Sequence, residues 1–217
     1  ALAGLLGVGG GIVIVPVLYH LFTLLGIDES VRMHVAVGTS LATIVPTSII
    51  SSRAHRRRGS LDMALIRRLL PGVVVGVAVG AVASRFLAGP WLTAVFATVA
   101  MAVALNMALR RDGTAWADGL PGPAGTALLG GGIGGLSTLM GIGGGTLSVP
   151  LLSGLRVPMH TAVGTGALLG LVISVPGALA FVVNGLGVPQ RPPLSVGYVN
   201  LLGFALMKAR DMIRASG

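Results

Sequence analysis

The chain has 217 residues, of which 53% are hydrophobic and only 10% charged, with a mean hydropathy of +0.92 and a formal charge of +9. A soluble domain carries about 25% charged residues, so the composition excludes an ordinary soluble fold, and the lack of cysteine excludes disulfides, thiol chemistry and Cys-based metal sites. The basic residues sit in short loops between apolar runs, so membrane topology explains them and nucleic acid is not an expected partner.

Uncharged stretches approaching or exceeding the roughly 20 residues that cross a bilayer recur along the chain. They predict an all-α, polytopic helical membrane protein embedded in a lipid bilayer. No cleavable signal peptide is visible, and Ala1 already lies in apolar sequence, so the first segment is expected to begin further upstream. Ala1–Ile27 is interrupted at Gly9-Gly10-Gly11 and again at Pro16. Asp28, Glu29 and Arg32 form a polar loop. His34-Val35-Ala36-Val37-Gly38-Thr39-Ser40 then opens a second segment that runs to about Ser52 and contains Pro46. A basic loop follows, from Arg53 through Arg56, Arg57 and Arg58 to Arg67 and Arg68.

Leu69–Leu87 is a third span. Its Gly72, Gly76 and Gly80 recur every fourth residue and predict close approach of another helix backbone. After the Gly89-Pro90-Trp91 turn, whose tryptophan suits a lipid interface, Leu92–Leu109 is a fourth span ending at Arg110-Arg111.

The second half repeats the first. Gly141-Ile142-Gly143-Gly144-Gly145 with Val149-Pro150 matches Gly7-Val8-Gly9-Gly10-Gly11 with Val15-Pro16. His160-Thr161-Ala162-Val163-Gly164-Thr165 matches His34 to Thr39 at all but the second position. Two ordered matches indicate an internal duplication, an arrangement common in secondary transporters. It divides the chain into a first transmembrane repeat at 1–112, a linker at 113–125 and a second repeat at 126–217, each of about four segments with Gly-broken helices. Only Leu201–Met207 precedes Lys208, too short to span, so the second repeat looks shortened around Asn200-Leu201, as if a helix and part of another were missing. Four crossings per half predict parallel repeats. Re-entrant Gly-rich hairpins would make them inverted.

With the Arg53–Arg68 loop placed in the cytoplasm, the positive-inside rule puts every Lys and Arg there except Arg32, Arg85 and Arg156.

The chemistry follows from what the breaks expose. Backbone that leaves a helix at membrane depth must be buried in protein or line a cavity. A half-helix N-terminus offers N–H groups to an anion, and glycine lets a ligand approach the backbone. Gly9, Gly10, Gly11, Gly143, Gly144 and Gly145 are therefore candidate substrate-binding positions. Thr39, Ser40 and Thr165 can donate hydroxyls to an oxyanion, or bond back to their own helices. His34 and His160 are candidates for carrying a coupling proton, with interfacial capping or solvation the alternative. Asn184 could line a pathway or cap its helix. No Asp or Glu falls within a predicted span, whereas cation pathways normally place one there. An anion fits better. No metal cluster, cofactor motif or catalytic constellation is visible, so an enzyme is not expected.

The paired Gly-x-Gly-Gly-Gly-x-x-x-Val-Pro and His-x-Ala-Val-Gly-Thr motifs resemble the TauE/SafE family of membrane transporters, also called sulfite exporters. The resemblance covers Gly9–Gly11, Val15, Pro16, His34, Gly38, Thr39 and Ser40, then Gly143–Gly145, Val149, Pro150, His160, Gly164 and Thr165. The chain departs from the pattern at Gly166, where a serine like Ser40 is usual, and in its shortened C-terminal region. The resemblance implies export of small sulfur-containing anions, sulfite or an organosulfonate such as sulfoacetate, across the bacterial inner membrane. Proton-coupled alternating access is the expected mechanism. An anion channel, or a carrier of another small organic anion, is the alternative.

Overall fold

The computed structural model describes residues 11–109, 119–189, 192 and 194–207. In chain order these form α1 (Gly11–Leu24), α2 (Glu29–Arg57), α3 (Met63–Phe86), α4 (Gly89–Leu109), α5 (Pro123–Met140), α6 (Gly144–Gly154) and α7 (Met159–Gly185). A short antiparallel hairpin, β1 (Ser195–Val196) with β2 (Val199–Asn200), follows, and residues 201–207 are helical. Among the described residues α2, α3, α4 and α7 are long and apolar enough to cross a membrane. The fold is therefore all-α and polytopic.

Local chemistry sets the helix ends. Asp28 caps α2, its carboxylate accepting from the Ser30 N–H at 2.8 Å and from the Ser30 hydroxyl. Those two donors hold the Asp28 carboxyl below its ordinary pKa. Asp62 caps α3 by accepting from the N–H groups of Ala64 and Leu65. His55, Arg56 and Arg57 fall in the last turn of α2, where cations oppose the helix dipole. Trp91 is exposed at the start of α4, as suits an interfacial aromatic.

Glycine contacts give the relative direction of the central helix pairs. Gly72, Gly76 and Gly80 on α3 face the backbones of Ala127, Gly131 and Gly135 on α5, so the two helices run parallel with their main chains almost touching. By contrast, Gly38 packs on Phe181, Leu41 on Gly177, and Ser48 on Gly170. Numbers rise along α2 as they fall along α7. The helices carrying the two His-x-Ala-Val-Gly-Thr motifs are thus antiparallel, the inverted sense, and the parallel arrangement expected from counting crossings is not adopted.

The reason lies at residues 141–143. Gly144 packs on Leu169 and Gly170, and Gly166 on Gly145 and Ser148, so α6 also runs antiparallel to α7. Thr138 of α5 meets Gly177 of α7 in the opposite, parallel sense, as the α3 contacts require. The glycine break therefore reverses the chain. The 11 residues of α6 span only about 16 Å, against a hydrocarbon core of about 30 Å. α5 and α6 thus form a helical hairpin with the glycine break at its tip, as a re-entrant segment would and a broken crossing would not.

A consequence concerns Arg156. Gly164, at the start of α7, packs on Ser60 in the turn that follows α2. Arg156 therefore lies at the same end of the bundle as Arg53–Arg68, not opposite it as expected. Arg110, Arg111, Arg191, Lys208, Arg210 and Arg214 lie outside the described residues. Because the chain has no cysteine, Arg57→Cys and Arg156→Cys can be tested singly in sealed vesicles. Both are expected to react with a membrane-impermeant maleimide from one face only, the same face. Labelling from opposite faces would reinstate a broken crossing.

Candidate functional site

The break is built by local rules. Gly141 ends α5 in the left-handed conformation at φ 66°. Its N–H bonds Thr138 O at 3.3 Å and the Ile142 N–H bonds Ser137 O at 3.0 Å, the paired arrangement that closes a helix at a glycine. Gly143 then caps α6 with no side-chain hydrogen bond, and its carbonyl accepts from the Thr146 N–H at 3.3 Å.

Around this break the two Gly-rich segments meet. A Cβ on Gly11 would lie 2.6 Å from Ile142 Cα, and one on Gly141 would lie 2.8 Å from Val37 Cα. Gly143 rests against Ile44, and Gly144 against the backbone of Leu169 and Gly170. The glycines thus serve two ends: they permit the reversal and they let α1, α2 and α7 press onto it. Gly9 and Gly10 lie outside the described residues.

The α2 hydroxyls are occupied with backbone. Ser40 Oγ donates to Gly141 O at 2.6 Å, fixing the break to the middle of α2. Thr39 Oγ1 accepts from the Asn200 N–H at 2.9 Å and so anchors the β-hairpin. The hairpin brings non-helical backbone into the bundle, where Tyr198 N–H also bonds Phe181 O at 3.1 Å, as membrane depth demands. Thr165 stands in the corresponding position of the second motif, and its hydroxyl is buried with no hydrogen-bond partner. Gly166 explains the departure from the Ser40 pattern. A Cβ there would lie 2.8 Å from Ser148 Oγ and 2.9 Å from Gly145 Cα, leaving a serine no room.

The two histidines are unlike each other. His34 is buried, and its Nε2 lies 3.2 Å from Ser84 O and 3.0 Å from Leu87 O at the end of α3. Both neighbours are carbonyl oxygens, so Nε2 carries a hydrogen and donates. The ring stacks on Tyr198 at 5.0 Å, and Nδ1 has no hydrogen-bond partner. Asn184 joins this clasp, donating to Ala81 O and to Ser84 Oγ. His160 is exposed in the first turn of α7, at the other end of the bundle. The fold does not bring the histidines together.

Two further hydroxyls, Ser137 and Ser174, are fully buried and unpartnered beside the break. Neither belongs to a repeated motif, so sequence reading passed them over. Their only signal was a hydroxyl in an otherwise apolar run, Ser137 beside Thr138 and Ser174 by itself. A crevice of about 560 Å³ between α4, α5 and α6 is lined, apart from Asn106, by residues such as Val103, Ile133 and Leu147. Its lining is almost wholly apolar, whereas buried hydroxyls and freed backbone gather at the break.

Comparisons with known proteins agree with the motifs. The family model described as "Sulfite exporter TauE/SafE" matches residues 1–209. A probable membrane transporter protein of Haemophilus influenzae is 34% identical over 200 residues, covering 92% of this chain and 76% of the relative. Similar proteins of Methanocaldococcus jannaschii (28% over 216 residues, 99% and 79% covered) and Bacillus subtilis (27% over 201 residues, 83% and 73% covered) are also named probable membrane transporter proteins. No solved structure matches. A match over nearly the whole chain, on a polytopic helical bundle whose duplicated motifs meet, makes this protein a member of the TauE/SafE family of membrane transporters.

Proposed function

We propose that the protein exports small sulfur-containing anions, sulfite or an organosulfonate such as sulfoacetate, across the bacterial inner membrane by proton-coupled alternating access. The reading rests above all on the glycine break at 141–143, which ends one helix and starts another, with a glycine N-cap, inside the bundle. Half-helix N-termini recur at the anion sites of transporters with discontinuous helices. The lack of any Asp or Glu inside the candidate spans beyond the first turn of α2 supports an anionic cargo over a cationic one.

In this reading Gly143, Gly144 and Gly145 offer backbone N–H groups, and Gly9, Gly10 and Gly11 supply the facing half. Thr165 contributes a hydroxyl, while Thr39 and Ser40 hold the site's backbone in place. His34 or His160 carries the proton, and the basic loops face the cytoplasm. The protein acts as a carrier and not as an enzyme.

Purified protein in liposomes is expected to move radiolabelled sulfite or sulfoacetate at a rate that responds to an imposed proton gradient. Failure to move either anion, or transport unchanged in the Thr39→Ala, Thr165→Ala double variant, would sink the proposal. Flux beyond a carrier's turnover, with no response to the gradient, would indicate a channel instead.

A further inference from the structure

Many helical hydroxyls among the described residues bond back to their own helix. Thr43 donates to Ser40 O, Thr47 to Ile44 O, Ser84 to Ala81 O and Thr138 to Gly134 O. Such back-bonding is the ordinary fate of Ser and Thr in an apolar helix. Ser137 and Ser174 depart from it: each hydroxyl is wholly buried and has no partner. A buried donor left unpaired costs stability, so two beside one backbone break call for a reason.

Their placement supplies it. Gly144, the first residue of α6, rests on Leu169 and Gly170, and α6 runs antiparallel to α7. The next turn of α7, which carries Ser174, therefore lies ahead of the first N–H groups of α6. Ser137 is one turn before Gly141 on α5, and its carbonyl accepts the Ile142 N–H that closes the break. Its neighbour Thr138 meets Gly177 of α7, one turn past Ser174. Ser137 and Ser174 thus stand on the two helices that adjoin the start of α6, each within a turn of a contact made there. No carboxylate lies in α5, α6 or α7 to repel an anion.

We infer that Ser137 and Ser174 are oxyanion-binding residues of the transport site. Each donates its hydroxyl hydrogen to one oxygen of a sulfur oxyanion whose third oxygen faces the N–H groups of α6. Three donor directions favour a sulfite or sulfonate group over a carboxylate, which has only two oxygens. The inference rests on the proposed reading of the protein as a carrier of small sulfur anions.

The test is thermal melting and ligand binding by the full chain in detergent, with sulfite, methanesulfonate and acetate at constant ionic strength. The parent is expected to be stabilised by sulfite and methanesulfonate more than by acetate. Ser137→Ala and Ser174→Ala should each melt higher than the parent without ligand, because a buried unpaired hydroxyl is gone. Each should also bind sulfite about tenfold more weakly, as expected for one lost hydrogen bond to a charged group. Should an alanine variant fail to accumulate, Ser137→Cys or Ser174→Cys keeps the shape with a weak donor and is expected to lose the same affinity. Variants that bind sulfite as tightly as a binding-competent parent would overturn this assignment and leave the proposed function standing. A parent that neither binds nor moves sulfite or methanesulfonate would overturn both.

Discussion

Gly76→Ala is expected to prevent the protein from accumulating in folded form, whereas Gly131→Ala, on the facing helix, should be nearly silent. A Cβ on Gly76 would overlap the Gly131 carbonyl oxygen, and that oxygen is fixed in the α5 backbone and cannot rotate away. Relief requires α3 and α5 to separate, which would also open the neighbouring contacts at Gly72 with Ala127 and Gly80 with Gly135. Overpacking typically costs about 1–3 kcal/mol and occasionally more, out of a total stability of roughly 5–15 kcal/mol, and here the obstructing atom is backbone that cannot give way. A Cβ on Gly131 meets nothing closer than Gly72 O at 3.7 Å, an ordinary contact. Alanine is also the better helix former there by about 1 kcal/mol. Folded yield and melting temperature in detergent check the pair. Equal tolerance at both positions would mean that α3 and α5 do not approach as closely as described.

The second large effect is expected at Gly141. Gly141→Ala meets two penalties, one conformational and one steric. Its φ of 66° is strained for any residue with a Cβ, at about 1 kcal/mol. The new carbon would also lie 2.8 Å from Val37 Cα and 2.9 Å from Val37 O, adding roughly 1–3 kcal/mol. Gly26 has a similar φ of 68° with nothing within 4 Å of a Cβ. Gly26→Ala therefore reports the conformational cost alone, and the difference in melting temperature between the two variants isolates the packing of the break against α2. Transport should be lost in Gly141→Ala, because the Ser40 hydroxyl bonds the carbonyl of this same residue and sets where α6 begins. A Gly141→Ala protein that melts like Gly26→Ala and still transports would show that the break is not pressed onto α2.

Much of this was legible in the sequence because it is a local property. Low charge and long apolar runs dictated membrane-spanning helices. The Gly72-Gly76-Gly80 spacing announced a helix–helix contact, since only residues on one face recur at that interval. Glycines 141 and 143–145 announced a break, since backbone freedom is written in the residue type. The duplication predicted that the two Gly-rich segments adjoin, and Gly11 lies on Gly141 and Ile142.

What the sequence could not show depends on partners distant in the chain. A glycine break permits either a continuation or a reversal with equal ease; the contacts of α6 with Leu169 and Gly170 select reversal. From that one choice follow the antiparallel α2 and α7 and the side on which Arg156 lies. Hydroxyls pose the same problem. Thr39, Ser40, Thr165, Ser137 and Ser174 are alike as sequence, all polar residues in apolar helices. Only the packed bundle separates Thr39 and Ser40, which hold backbone, from the three whose hydroxyls are buried without a partner. Residue type determined which hydrogen-bonding groups the helices carry. Long-range packing decided which of them stay unengaged, because a hydrogen bond is taken by whichever acceptor the folded chain brings within reach.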